Sequence, residues 1–215
     1  MTFTVVITVF ERTELLANAL FSVYRQDWPD WNAIIIADGP HLTAGSMVDQ
    51  FRLKVPEIAD RIKYLTLPQA LGAWGNVSRY RGLELATGDY TVFIGHDCIM
   101  FPGYLAAHAE NVAKSPGCLS LVDIDMWTAR SFKPGITLPH PEYLGIRPKR
   151  KYPFDAMKLG DVDLTCMAFP TERARQIGVF ARKMKDYCAD HNDAYLLCIK
   201  AMPVVHRPGV VAGHF

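Results

Sequence analysis

Three short apolar runs, Phe3 to Val9, Asn32 to Ala37 and Tyr90 to Ile94, each stop abruptly at a polar loop: Phe10-Glu11-Arg12, Asp38-Gly39-Pro40 and Gly95-His96-Asp97. The runs are rich in Val, Ile and aromatic residues and lack the polar alternation of a strand with one wet face, so each reads as a strand covered on both sides. Segments of helical period lie between them. After Glu11 to Glu14, residues Leu15, Leu16, Ala19, Leu20 and Val23 share one helix face, with Thr13 as the expected N-cap. Helices are expected over Ser46 to Lys54 and Asn76 to Ala86, the second closed by Gly88, with a short strand from Ile62 to Thr66 between them. Strands and helices alternating at this spacing require right-handed crossovers and a mostly parallel sheet.

The alternation continues for one more unit, a helix from Pro102 to about Lys114 and a strand from Leu119 to Asp125. It then fails. Pro134, Pro139, Pro141, Pro148 and Pro153 punctuate aromatic and basic residues, and an irregular loop over 128–160 is expected, placed to order over a bound ligand and exclude water. Thr165 to Phe169 resumes as a strand, Thr171 to Ile177 and Asp190 to Lys200 as helices, and Pro203 to His206 as a last extended piece. With 215 residues and no internal repeat, a single α/β domain over 1–215 is the expectation.

Charge and cysteine usage narrow the function classes. Lys plus Arg (23) nearly cancels Asp plus Glu (22), so no overall field draws the chain to nucleic acid or to an anionic membrane. Cys98, Cys118, Cys166, Cys188 and Cys198 are scattered without a Cys-x-x-Cys pair, which points away from a zinc or redox centre and fits a reducing, cytoplasmic setting. The first residues lack a secretory signal's basic start and cleavage site. No uncharged run approaches the ~20 residues of a bilayer span, so no integral membrane segment is expected.

Chemistry is expected at the three polar loops. At the ends of parallel strands they share one rim, where α/β sheets bind ligands. There Phe10 can stack on a base, Asp38 can accept from a base N–H, and Asp97 can hold a divalent cation against phosphate oxygens.

The order of motifs then becomes informative. The Phe10-Glu11-Arg12 loop, Ser22-Val23-Tyr24-Arg25-Gln26, the strand ending Ala37-Asp38-Gly39, Arg79-x-x-Gly82 and Ala86-Thr87-Gly88-Asp89-Tyr90 together resemble the inverting family 2 glycosyltransferases. The resemblance implies a GT-A fold, Rossmann-like, with a mostly parallel central sheet flanked by helices. Residues 1–100 would be its nucleotide-sugar-binding half and 101–215 its acceptor half. It implies that Phe10 and Asp38 contact the base and Arg79 lies near the nucleotide, with Val9, Arg12 and His96 on the same rim completing the expected contacts. It also implies Mn²⁺ or Mg²⁺ at Asp97, joined by a late histidine, His206 ahead of His214. The donor is then a nucleoside diphosphate sugar, a UDP-sugar first, and the acceptor hydroxyl belongs to a glycan, lipid, protein or modified nucleic acid.

The chain departs from the family pattern at two places. Ala37-Asp38 stands where the family has paired acids, and the Asp-x-Asp motif reads Gly95-His96-Asp97, without its ribose-facing carboxylate. The family's inverting base is an acid at the start of a late helix. The matching positions are Asp190, in Ala189-Asp190, and Asp193, and either would also serve as a helix N-terminal residue. The basic run Arg147 to Lys151 can grip a phosphate or an anionic acceptor, and Asp161 and Asp163 are lesser acceptor candidates. Two other functions fit the same rim. One is a nucleotidyltransferase, which attacks phosphorus and releases pyrophosphate; the other is a catalytically inactive nucleotide-binding module, which the missing acid would explain.

Overall fold

The apolar runs become strands for the reason their composition suggests: both faces are covered. In the computed structural model, which describes residues 1–72, 75–126, 150–151, 163–181 and 187–214, every residue of β1 (Phe3–Val9) is buried. β2 (Trp31–Ala37) lies parallel to it, with β3 (Ile62–Thr66) on the outer edge of β2. β4 (Tyr90–Gly95) runs parallel on the other side of β1. The crossovers carry α1 (Leu16–Tyr24), α2 (Leu42–Lys54) and α3 (Asn76–Leu85). Register pairs Val9 with Ala37 and Thr8 with Gly95, so the strands end at one level and their loops share a rim.

The second half adds β5 (Cys98–Met100), α4 (Tyr104–Lys114), β6 (Leu119–Met126), β7 (Arg150–Lys151), β8 (Met167–Pro170), α5 (Thr171–Gln176), α6 (Tyr187–Ala201) and β9 (Val204–His214). The described strands form one sheet in the order β3-β2-β1-β4-β8-β6-β9-β5, with β7 on β6. β8 is antiparallel to β4 and β6, and β5 to β9, but these ladders hold only two or three residue pairs each. The parallel β6–β9 ladder holds eight, so the sheet is mostly parallel as expected. Among the described residues no helix is long and apolar enough to cross a membrane.

Local differences from the sequence expectations have physical causes. Thr13 does not cap α1. A 3-10 turn over Thr13–Leu15 comes first, entered from Arg12 in the left-handed region (φ 49°, ψ 46°) and without a side-chain cap. The tighter turn rotates Leu15 away from the face that Leu16, Ala19, Leu20 and Val23 bury. β5 is too short to announce itself, and β9 continues well past His206 because it pairs with β6 as far as His214 and, over Ala212 to His214, with β5 on its other edge. α6 starts at Tyr187, three residues before Asp190. Of the expected 128–160 loop, Arg150 and Lys151 form β7 and the rest lies outside the described residues.

Gly88 is not a left-handed helix stop. A Cβ there would stand 2.6 Å from the Thr4 amide nitrogen and 2.7 Å from the Phe3 carbonyl carbon, so the glycine lets the chain entering β4 lie against β1. α3 is terminated instead by Arg175 of α5. Its Nε donates to the Leu83 carbonyl at 2.9 Å, and its Nη2 donates to the Glu84 carbonyl at 3.2 Å and to that of Ala86.

Gln26 serves the start of α4, its Oε1 accepting from the Leu105 amide at 3.0 Å while its Nε2 donates to the Phe101 carbonyl at 2.8 Å. Between α4 and β6, His108 Nδ1 and Ser120 Oγ lie 2.7 Å apart, and Asn111 Nδ2 donates to Ser120 Oγ and to the Leu121 carbonyl, both at 2.9 Å. Burial pushes His108 down to about 3, so its ring is neutral near pH 7.

Candidate functional site

The loops after β1, β2 and β4 open onto a cavity of about 560 Å³, the size of a small-molecule site. Val9, Phe10, Arg12, Asp38, Arg79, His96 and Asp97 all line it. Every rim residue expected from the sequence is therefore gathered in one place. The register of β1, β2 and β4 explains why, and the start of α3 brings Arg79 to the same space.

Asp38 is 4 % exposed. Its amide donates to the Val9 carbonyl at 2.8 Å, and its Oδ1 accepts from the Leu71 amide at 2.8 Å. Oδ2 is buried and has no hydrogen-bond partner. Leaving such an oxygen unpaired costs about 1–3 kcal/mol, which stability alone does not justify. Ser78 Oγ, on the same cavity, is also buried without a partner. Sequence reasoning missed Ser78; the only signal was its place one residue before Arg79. Phe10 is 45 % exposed, an aromatic face held in the open at the cavity.

Asp97 meets Arg12 across two loops, with Arg12 Nη2 2.5 Å from Asp97 Oδ2. The carboxylate side chain is 13 % exposed and the guanidinium side chain 45 %. Holding a non-glycine residue in the left-handed region costs roughly 1–2 kcal/mol. An ion pair with an exposed partner returns about 1 kcal/mol or less. The pair barely offsets its own backbone, so its geometry points to function rather than stability. Gly95 contributes space: a Cβ there would collide with the Asp97 carboxylate.

His96 is turned back on the sheet. Its amide donates to the Thr8 carbonyl at 3.1 Å, its Nδ1 lies 3.2 Å from the same oxygen, and Nε2 is buried without a partner. Burial lowers its pKa despite the neighbouring Asp97 carboxylate. Burial likewise pushes the Cys98 thiol well above the usual range, which makes it a packing residue rather than a nucleophile.

Asp163, expected from the sequence to face the acceptor, lines the same cavity as Asp97. Its Oδ1 accepts from the Thr165 amide at 2.8 Å and caps a short 3-10 turn over Leu164–Cys166. Asp161 lies outside the described residues. Asp190 and Asp193 fall within α6, and their side chains also lie outside the described set.

His206 is not among the residues that line this cavity. Its Nε2 lies 2.8 Å from Asp123 Oδ1, and Asp123 Oδ2 accepts from the Gly209 amide at 2.8 Å. On β9, His206 pairs with Leu121, whereas His214 pairs with Cys98, the residue after Asp97. The β6 partners of the two histidines, Leu121 and Met126, are five residues apart, so the bulged β9 separates them by roughly 17 Å.

Among the described residues no three His, Cys, Asp or Glu side chains gather as a ready-made metal cage. The cavity does offer carboxylate oxygens from Asp97 and Asp163. Mg²⁺ and similar hard ions commonly use one or two carboxylates and complete their shell with substrate phosphates and water. This donor set fits an ion that arrives with a phosphorylated ligand.

Comparison with solved structures places the fold. The crystal structure of S. aureus TarS 1-349 has a TM-score of 0.75 at 14% identity, covering 100% of this chain and 60% of that one. TarS 1-349 in complex with UDP-GlcNAc gives 0.70 at 15%, covering 99% and 58%. The mannosyltransferase PcManGT from Pyrobaculum calidifontis, in complex with GDP-Man and Mn2+, gives 0.64 at 14%, covering 99% and 56%. The chain thus spans three-fifths or less of each of these chains, and the likeness is one of fold. A sequence search of curated proteins finds no match. The family model described as Glycosyl transferase family 2 matches residues 4–172, which take in the whole cavity rim and the Asp163 turn, and the chain belongs to that family.

Proposed function

We propose that this chain moves a sugar from a nucleoside diphosphate sugar to a hydroxyl acceptor with inversion at the anomeric carbon. The observation that carries the proposal is the meeting of Phe10, Asp38, Arg79 and Asp97, from four separated segments, on one cavity at the strand ends. Phe10 offers a face on which the base stacks, and the unpaired Asp38 Oδ2 accepts a base N–H. Arg79 and Arg12 supply guanidinium groups for the diphosphate. The complexes of TarS with UDP-GlcNAc and of PcManGT with GDP-Man and Mn2+ support a nucleotide-sugar donor and a divalent ion.

Asp97 and Asp163 are the residues that would hold Mn²⁺ or Mg²⁺. Bound there, the ion supplies compensation for negative charge growing on the departing diphosphate. Asp190 or Asp193 takes the proton of the acceptor hydroxyl as its oxygen attacks the anomeric carbon. The bond from that carbon to the diphosphate oxygen breaks, its electron pair leaves on the oxygen, and the configuration inverts.

A thermal-shift panel of UDP-, GDP- and dTDP-sugars, with and without manganese, tests the donor, because a ligand that binds only the folded state raises the Tm. Turnover must then release a nucleoside diphosphate. Release of pyrophosphate would make the chain a nucleotidyltransferase, and binding without turnover would make it an inactive nucleotide-binding module.

A further inference from the structure

Three features of the Arg12–Asp97 pair go together. Arg12 adopts a left-handed backbone (φ 49°) three residues beyond the end of β1, and its side chain meets a carboxylate 85 residues away. The carboxylate is the more enclosed partner and the guanidinium the wetter one, 13 % against 45 % exposed, so the arginine is the partner with more freedom to move. Finally, Gly95 leaves room for the carboxylate where a Cβ would collide with it, at the position where the Asp-x-Asp pattern has its first acid. A cavity with its central carboxylate already neutralised by the protein's own cation presents a weakened site to a metal ion.

We infer that Arg12 is a built-in counter-cation, holding Asp97 Oδ2 until a diphosphate draws the guanidinium away and releases the carboxylate to a divalent ion. This coupling rests on the donor-site reading above and adds regulation to it. A guanidinium and a divalent ion repel each other at one carboxylate oxygen, so metal alone must displace Arg12 and leave it without that partner. A diphosphate provides the alternative partner, since its oxygens accept a guanidinium in a two-pronged arrangement. Metal and nucleotide therefore bind in mutual dependence, and linkage requires each to raise the affinity of the other by the same factor.

Isothermal titration of the purified chain with manganese chloride, alone and at saturating UDP or GDP, tests this directly, with buffer containing the same nucleotide as blank. Arg12→Asn removes the guanidinium while keeping a residue that accepts the left-handed region. Arg12→Gly does the same with no side chain, in case the first variant fails to fold, and Arg12→Lys retains a cation. In the native chain, manganese affinity should rise at least tenfold with nucleotide. Arg12→Asn or Arg12→Gly should bind manganese alone about tenfold more tightly than the native chain, and nucleotide should add less; Arg12→Lys, which keeps the cation, should bind manganese alone as weakly as the native chain. Equal or weaker manganese binding by the Asn and Gly variants, in the absence of nucleotide, overturns the role given to Arg12. If neither UDP nor GDP shifts the melting of the native chain, the donor reading itself fails, an outcome distinct from nucleotide binding with unaltered manganese affinity.

Discussion

Asp38→Asn separates a binding role from a structural one. In the folded chain, Oδ1 accepts the Leu71 amide at 2.8 Å and Oδ2 is buried and unpaired. Asparagine retains an oxygen for Leu71 and replaces the unpaired carboxylate oxygen by an amide, so the donor-free protein loses no hydrogen bond and is relieved of a buried charge. Its melting temperature should be unchanged or higher. A base N–H that donated to Oδ2 would instead face an N–H group. One charge-assisted hydrogen bond is worth about 1.5–3 kcal/mol. At about 1.4 kcal/mol per decade, nucleotide affinity should fall roughly 10- to 150-fold. Titration calorimetry with UDP and GDP, beside a thermal melt without ligand, reads both quantities. A lower melting temperature with affinity within twofold of the native chain would refute the reasoning, because it would make Asp38 a structural brace for the Leu71 turn.

Other expectations follow from single contacts. His108 is neutral in the fold down to about pH 3, whereas the unfolded chain takes up that proton near 6.5, so stability is full above pH 6.5 and is lost as pH falls. The loss is at most about 1.4 kcal/mol per unit, roughly 2 kcal/mol by pH 5; urea melts across that range should be flatter for His108→Gln, and parallel curves would contradict this. Arg175→Ala strips its partner from two α3 carbonyls and from that of the C-cap residue Ala86, and should cost about 1–2 kcal/mol in a denaturant melt; an unchanged midpoint would show that water replaces the arginine without loss. Whichever of Asp190 and Asp193 is the base, its Asn variant should lose about 10²- to 10⁴-fold in turnover with donor affinity kept. Native turnover in both variants would take the base away from α6.

The parts of the fold that were legible in the sequence are those where local chemistry and burial agree. β1, β2 and β4 are covered on both faces, so their apolar runs end where the strands end, and the rim residues Phe10, Asp38 and Asp97 could be placed together from the ends alone. What was not legible depends on partners far along the chain. β5 exists because β9 pairs with it, and His206 is held by Asp123, 83 residues earlier. Neither relation leaves a local pattern. The Arg12–Asp97 pair is of the same kind, since nothing in Phe10-Glu11-Arg12 indicates which acid the arginine will meet. Gly88 carried a true signal with the wrong cause: a glycine after a helix suggests a left-handed stop, but here it makes room for the backbone of β1.

The central claim is that the cavity at the ends of β1, β2 and β4 takes the nucleotide sugar, and a crystal structure of the chain grown with UDP and manganese chloride tests it most directly. The base should lie against Phe10 with an N–H on Asp38 Oδ2, the ion should be in direct coordination with Asp97, and Arg12 should have moved to the diphosphate. Nucleotide bound outside this cavity, or Asp97 still paired with Arg12 beside a bound diphosphate and no ion, would contradict it.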